Sequence, residues 1–191
     1  MGAIFNFILN MLPYMLFAIP FYTVFRVMLI KRRRQKIKLY REIALLFFVM
    51  FIVGLASQTV IPKMQFDDGG ISIVEDRTHK TNLIPLKVIF ETYQEVFIQD
   101  NIQYFLINFL GNIVMFVPIG FFLPLLWKFS NKKVIFLGFS ASLMIEFTQL
   151  FLARGTDVDD LLLNTLGTLV GFFLYKLVNK KARCFVNQIQ N

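Results

Sequence analysis

Five long apolar runs, each bounded by charged or turn-forming residues, organise this 191-residue chain, at roughly 3–30, 42–61, 102–127, 133–153 and 160–178. About 20 apolar residues in an α-helix cross the hydrocarbon core of a bilayer. Inside lipid every backbone polar group needs an internal partner, so each run reads as a continuous helix. The first is long enough to be tilted, or to begin as a surface segment before Pro13. The second is stopped by Pro62. The stretch 62–101 breaks the pattern and is too long for a simple connection. Within it, Gln65 to Ile73 alternates apolar and polar residues about Gly69 and Gly70 and predicts a short β-hairpin. Asn82-Leu83-Ile84-Pro85 is an extended or turn segment, because Pro85 disfavours helix at Ile84. From Lys87 to Gln99, Ile89, Phe90, Tyr93, Phe97 and Ile98 recur at helical spacing opposite Glu91, Gln94 and Glu95. This predicts an amphipathic helix, lying on the membrane surface or packed on its own loop. The expected fold is all-α and membrane-integral: about five transmembrane helices in one domain spanning 1–191.

Charge sets the expected direction. Only 17% of residues are charged and 57% are hydrophobic, against about a quarter charged in soluble domains. The net charge of +8 is concentrated in blocks. Lys31, Arg32, Arg33, Arg34, Lys36, Lys38 and Arg41 separate the first two runs. Lys128, Lys132 and Lys133 separate the third and fourth, and Lys176, Lys180, Lys181 and Arg183 close the fifth. In a five-span arrangement all three blocks share one side, while most acids fall on the other. The positive-inside rule then puts the N-terminus and the loops 62–101 and 154–159 outside. The basic blocks are accordingly topology anchors rather than a nucleic-acid surface. The first run lacks a basic leader and a small-residue cleavage site, so it reads as a retained helix. The lone Cys184 excludes an internal disulfide and reads as an inert thiol, with palmitoylation the alternative.

The polar residues inside the runs form stripes. Asn108 and Asn112 share a face of the third helix; Ser142, Glu146 and Gln149 share one of the fourth; Asp160, Asn164, Gly167 and Gly171 share one of the fifth. All three stripes lie in the expected outer half, beneath a loop carrying Arg154, Asp157 and Asp159. Turning them together makes a polar cleft open to the outside, with the glycines admitting a close neighbour. Carboxamides on membrane helices are often only interhelical glue, worth roughly 0.6 kcal/mol each, and Asn108 reads that way. Glu146 is different: an acid deep in a membrane helix costs roughly 2.5–3.5 kcal/mol on insertion scales. It needs partners or protonation, and Asn112, Gln149, Asn164 and Arg154 are the candidate partners. Asp160 reads equally as the first-turn acid or N-cap of its helix, and Asp157 and Asp159 stand evenly between capping and function.

Asn112 to Gly120 (N-x-x-x-F-x-P-x-G), Glu146 to Gln149 (E-x-x-Q), and Arg154 through Asp157, Asp160, Asn164 and Gly167 resemble, in order, the motifs of the VanZ-like family. Asn82 to Pro85 resembles its outer-loop element. Over roughly residues 80–175 the resemblance implies a Gram-positive-type cell-envelope protein associated with low-level glycopeptide resistance, teicoplanin above all, without implying a settled mechanism. The first reading is an outer-leaflet site binding or modifying an amphiphile: a lipid, a lipid-linked cell-wall precursor or the acyl-bearing antibiotic. In it Arg154 pairs a phosphate or carboxylate, and Asn112, Gln149 and Asn164 orient the ligand. The second is an intramembrane enzyme, with Glu146 as general base and Asp157 and Asp160 as acid or metal ligands. Such a donor set suits Mg²⁺, Mn²⁺ or Ca²⁺ rather than Zn²⁺. The third is a scaffold recruiting envelope machinery through 62–101. The residues identify no cofactor and no oligomeric state.

Overall fold

The computed structural model describes residues 2–34, 36–61, 64–67, 70–73, 82–152 and 156–190. Helix α1 (Gly2–Arg33) turns at Arg34, which has positive φ, and leads into α2 (Leu39–Thr59). Strands β1 (Met64–Asp67) and β2 (Gly70–Ile73) pair antiparallel with Asp67 opposite Gly70; positions 68 and 69 lie outside the described residues. Helix α3 (Lys87–Phe97) precedes one continuous rod made of α4 (Ile102–Tyr104), a π-helical stretch (Phe105–Leu110) and α5 (Gly111–Trp127). Then come α6 (Asn131–Phe151), α7 (Val158–Lys181) and a short α8 (Arg183–Gln190). Five helices are long and apolar enough to cross a membrane: Leu9–Arg33, Leu39–Thr59, Ile102–Trp127, Asn131–Phe151 and Val158–Lys181.

The bundle is organised around α5 and α7, which meet backbone to backbone. A Cβ on Gly171 would stand 2.8 Å from the Val117 carbonyl carbon, one on Gly167 2.9 Å from that of Ile113, and one on Gly120 2.8 Å from that of Thr168. Gly167 and Gly171 thus form a small-residue seam one turn apart, the arrangement that lets membrane helices gain dispersion contacts at close range. Gly138 of α6 faces the Thr168 side chain, which is fully buried between the helices. At the level of this seam Leu55, Phe116 and Ile119 form one apolar cluster.

A second cluster marks the opposite end. Ala44, Leu125 and Leu126 pack with Val186 and Ile189 of α8. The Gln190 amide donates to the Pro124 carbonyl and the Tyr175 hydroxyl, each at 3.0 Å, and Arg41 donates to the Ile189 carbonyl at 3.2 Å. This gathers the start of α2, the end of α5 and α8 at one end, together with the basic blocks that adjoin them. Helix α1 is peripheral. Among its described side chains only Met11 is buried, while Phe17, Phe21 and Phe25 are exposed. It is tied to α2 by Arg26, whose Nε and Nη2 donate to Glu42 at 2.6 and 2.8 Å.

Candidate functional site

At the other end the polar stripes of α5, α6 and α7 do converge, and residues 82–88 fold over them. Asn82 forms a parallel bridge with Asp157. Its amide donates to the Thr156 carbonyl at 2.8 Å, and its carbonyl accepts from Val158 at 3.1 Å. The Asn82 side chain donates to Asp157 Oδ1 at 2.9 Å, and the same oxygen accepts from the Asp159 amide at 2.9 Å. Asp157 is therefore the N-cap of α7 as well as a clasp on the loop. Asp159, 1% exposed, accepts from the Leu86 amide on one oxygen and from the Val88 amide, at 2.8 Å, on the other. An acid at the N-terminus of α3 both satisfies orphan amides and complements the helix dipole.

Glu146 is 3% exposed and accepts from the Asp157 amide at 3.1 Å. Asn112 of α5 donates to Asp160 of α7 and also to the Asn108 carbonyl at 3.0 Å. Asn164 donates to Ser142 at 2.9 Å, joining α7 to α6 in a fully buried pair. Gln149 donates to the Thr59 carbonyl at 3.2 Å and so fastens α6 to the end of α2.

These contacts correct the expected wiring. The carboxamides of Asn112, Gln149 and Asn164 donate to Asp160, Thr59 and Ser142, not to Glu146. Asn108 is exposed and turns back on the Tyr104 carbonyl. Arg154 lies outside the described residues. Asp160 is not an N-cap; Asp157 is, and Asp160 is a first-turn acid. At the centre of the cluster Ser142, Glu146, Asp159 and Asn164 are buried, while Asn112, Gln149, Asp157 and Asp160 are half-buried at its rim. Among the described residues no group of three or more His, Cys, Asp or Glu side chains is placed to hold a metal ion.

Unspent hydrogen-bonding capacity separates Glu146 and Asp160 from Asp159. A carboxylate offers two oxygens and about four acceptor sites. Asp159 has a donor on each oxygen, as a structural clasp should. Among the described residues Glu146 has one donor and Asp160 one. The Thr156 hydroxyl is buried and, among the described residues, has no hydrogen-bond partner. Asn82 was not expected at the site; Pro85 marked its segment as extended or a turn, and only the long-range bridge brings it in.

Helix α3 is secured at its own edge by Glu91, which receives Lys87 at 2.7 Å and the Tyr104 hydroxyl at 2.7 Å. Lys87 and Tyr104 hold the Glu91 carboxyl below its ordinary value of 4.5. A depressed carboxylate contributes stability above the unfolded value and loses it as pH falls through the folded one. Amide exchange across α3 is therefore expected to stay constant from pH 7 to about 5, once corrected for intrinsic rates, and to accelerate as pH falls below 4.5. A corrected rate that is flat down to pH 3 would count against this contact.

The family model described as VanZ/LLP1 matches residues 42–179, from α2 to the end of α7. No curated protein and no solved structure matches the chain.

Proposed function

This chain belongs to the VanZ/LLP1 family, and from that premise we propose that it engages an amphiphile at the extracellular leaflet through the polar cluster of α5, α6 and α7. The family is linked to glycopeptide resistance, and five apolar helices make the chain a multi-pass membrane protein. The basic end faces the cytoplasm by the positive-inside rule. The cluster then lies just beneath the outer headgroups, with the N-terminus outside.

The observation that carries this reading is the capacity of Glu146, Asp160 and the Thr156 hydroxyl left unspent among the described residues, in a water-poor place. A buried polar group without a partner is costly, and a ligand headgroup entering at the half-buried rim supplies the missing partners. Asn112, Gln149 and Asn164 orient it from α5, α6 and α7, and Arg154 pairs its anionic group. Helix α3 supports the location. Ile89, Phe90, Tyr93 and Phe97 share one exposed face, which dips into the acyl boundary beside the site. A lipid, a lipid-linked cell-wall precursor or teicoplanin would each present a polar head there with its chain in the bilayer. The alternative of a metal-assisted intramembrane enzyme makes Glu146 the general base and Asp157 and Asp160 acid or metal ligands.

The test is protection against teicoplanin at matched membrane levels. Glu146→Gln and Arg154→Ala should each reduce the inhibitory concentration to that of cells lacking the protein, while Asn108→Ala should keep it. Full protection by both variants would reject a role for the cluster. Teicoplanin binding to purified Glu146→Gln separates the two chemistries: retained affinity with lost protection favours turnover, joint loss favours binding.

A further inference from the structure

Remote from that cluster, two cavities between α1 and α2 meet at one residue. The first, about 290 Å³, is lined by Arg26, Lys36, Lys38, Arg41 and Glu42. The second, about 700 Å³, is a groove along the same two helices, with Phe17, Phe21 and Phe25 on one wall and Leu45, Val49 and Val53 on the other. Arg26 lines both. Four cations thus face a single carboxylate, and Glu42 is already engaged by Arg26 through Nε and Nη2. A surplus of positive charge at the mouth of an apolar groove between membrane helices matches an amphiphile with an anionic head.

Two further observations narrow the ligand. The Tyr22 hydroxyl is buried in the groove, one helical turn before Arg26, and among the described residues has no hydrogen-bond partner. A buried hydroxyl calls for an acceptor. In a glycerophospholipid the ester carbonyl sits just below the phosphate, where a donor one turn deeper meets it. The groove also has the right length. From Arg26 to Tyr14, which lines its far end, α1 rises roughly 18 Å, close to half of a hydrocarbon core of about 30 Å.

We propose that α1 and α2 form a binding site for an anionic glycerophospholipid of the leaflet at the basic end. Its phosphate lies among Arg26, Lys36, Lys38 and Arg41, its ester carbonyl accepts from Tyr22, and one acyl chain fills the groove against the exposed phenylalanines of α1. Helix α1 and the cations Lys36, Lys38 and Arg41 precede the family match at 42–179, whereas Glu42 and the α2 wall of the groove lie inside it. The site stands independently of the reading of the polar cluster.

The test uses the full-length protein, delipidated in a neutral detergent and titrated with phosphatidylglycerol, with phosphatidylcholine of the same chains, or with inorganic phosphate. Retained lipid is counted by native mass spectrometry and the melting temperature is followed in parallel. Phosphatidylglycerol should be retained and should raise the melting temperature, phosphatidylcholine should bind at least tenfold more weakly, and phosphate should do neither. Lys36→Gln with Lys38→Gln should weaken phosphatidylglycerol about tenfold. The same charge loss outside the cavity, Lys31→Gln with Arg32→Gln, should leave affinity within twofold. Tyr22→Phe should lower affinity several-fold without changing the melting temperature of the lipid-free protein. Equal losses from the two charge-removing pairs, equal binding of the two lipids, or a full response to phosphate alone would overturn the proposal.

Discussion

Gly171→Ala is expected to lower the melting temperature of the detergent-solubilised protein by about 10 °C, the equivalent of roughly 3 kcal/mol. The added methyl would meet the Val117 carbonyl and the Phe121 amide nitrogen, all backbone atoms of a facing helix. A flexible side chain can swing aside from such a clash; two packed helices can relieve it only by separating along their length, which forfeits dispersion contacts all down the seam. Gly167→Ala adds the same fault one turn away, so the double variant should fail to reach a folded state. Gly54→Ala is the matching control. Its methyl would meet Met11 Cε at 2.9 Å and the thioether of Met15 at 3.0–3.1 Å, both on supple side chains, and its melting temperature should move by only a few degrees. Equal melting of Gly171→Ala and the unsubstituted protein would mean that α5 and α7 do not meet on this face.

That seam was legible because a membrane helix uses glycine for few other purposes. Gly167 and Gly171 align with Asp160 and Asn164 at helical spacing, and the face they define is the one α5 meets. Glu146 was legible for an energetic reason: an acid in an apolar run must have partners. Which partners it takes was not legible. Its donor is the Asp157 backbone amide, and backbone groups leave no trace in residue identities. The same blindness concealed the role of Asp159. Capping was weighed for it on its own helix, yet it caps α3, whose start is more than seventy residues earlier in the chain. Periodicity reports on faces within a helix and carries nothing about which loop segment crosses over a helix end. Helix α8 escaped for a simpler cause. Its two buried residues, Val186 and Ile189, make a single i, i+3 pair, too short to show a period among the charged residues around it.

Asp159→Ala is expected to release the segment 82–98 from the bundle while leaving the five long helices assembled. Both oxygens of Asp159 are committed, to the Leu86 and Val88 amides, and hydrogen bonds to a charged group contribute about 1.5–3 kcal/mol apiece. Their removal is partly offset by hydration of the freed amides, so a local loss of about 2–4 kcal/mol is expected. The Leu86 backbone adds to the effect. It sits in the left-handed region at φ 65°, a conformation that costs a residue with a side chain roughly 1–2 kcal/mol and persists only while Asp159 holds its amide. Hydrogen exchange should therefore accelerate at Leu86 to Ile98 by at least tenfold, with α5 and α7 unchanged. Asp159→Asn, which keeps one acceptor oxygen, should fall between. Leu86→Gly, which removes the steric reason for the turn to relax, should restore part of the protection in the Asp159→Ala background. If exchange in this segment is the same with and without the Asp159 carboxylate, the loop is held by Asn82 and Asp157 alone, and the clasp assigned to Asp159 is wrong.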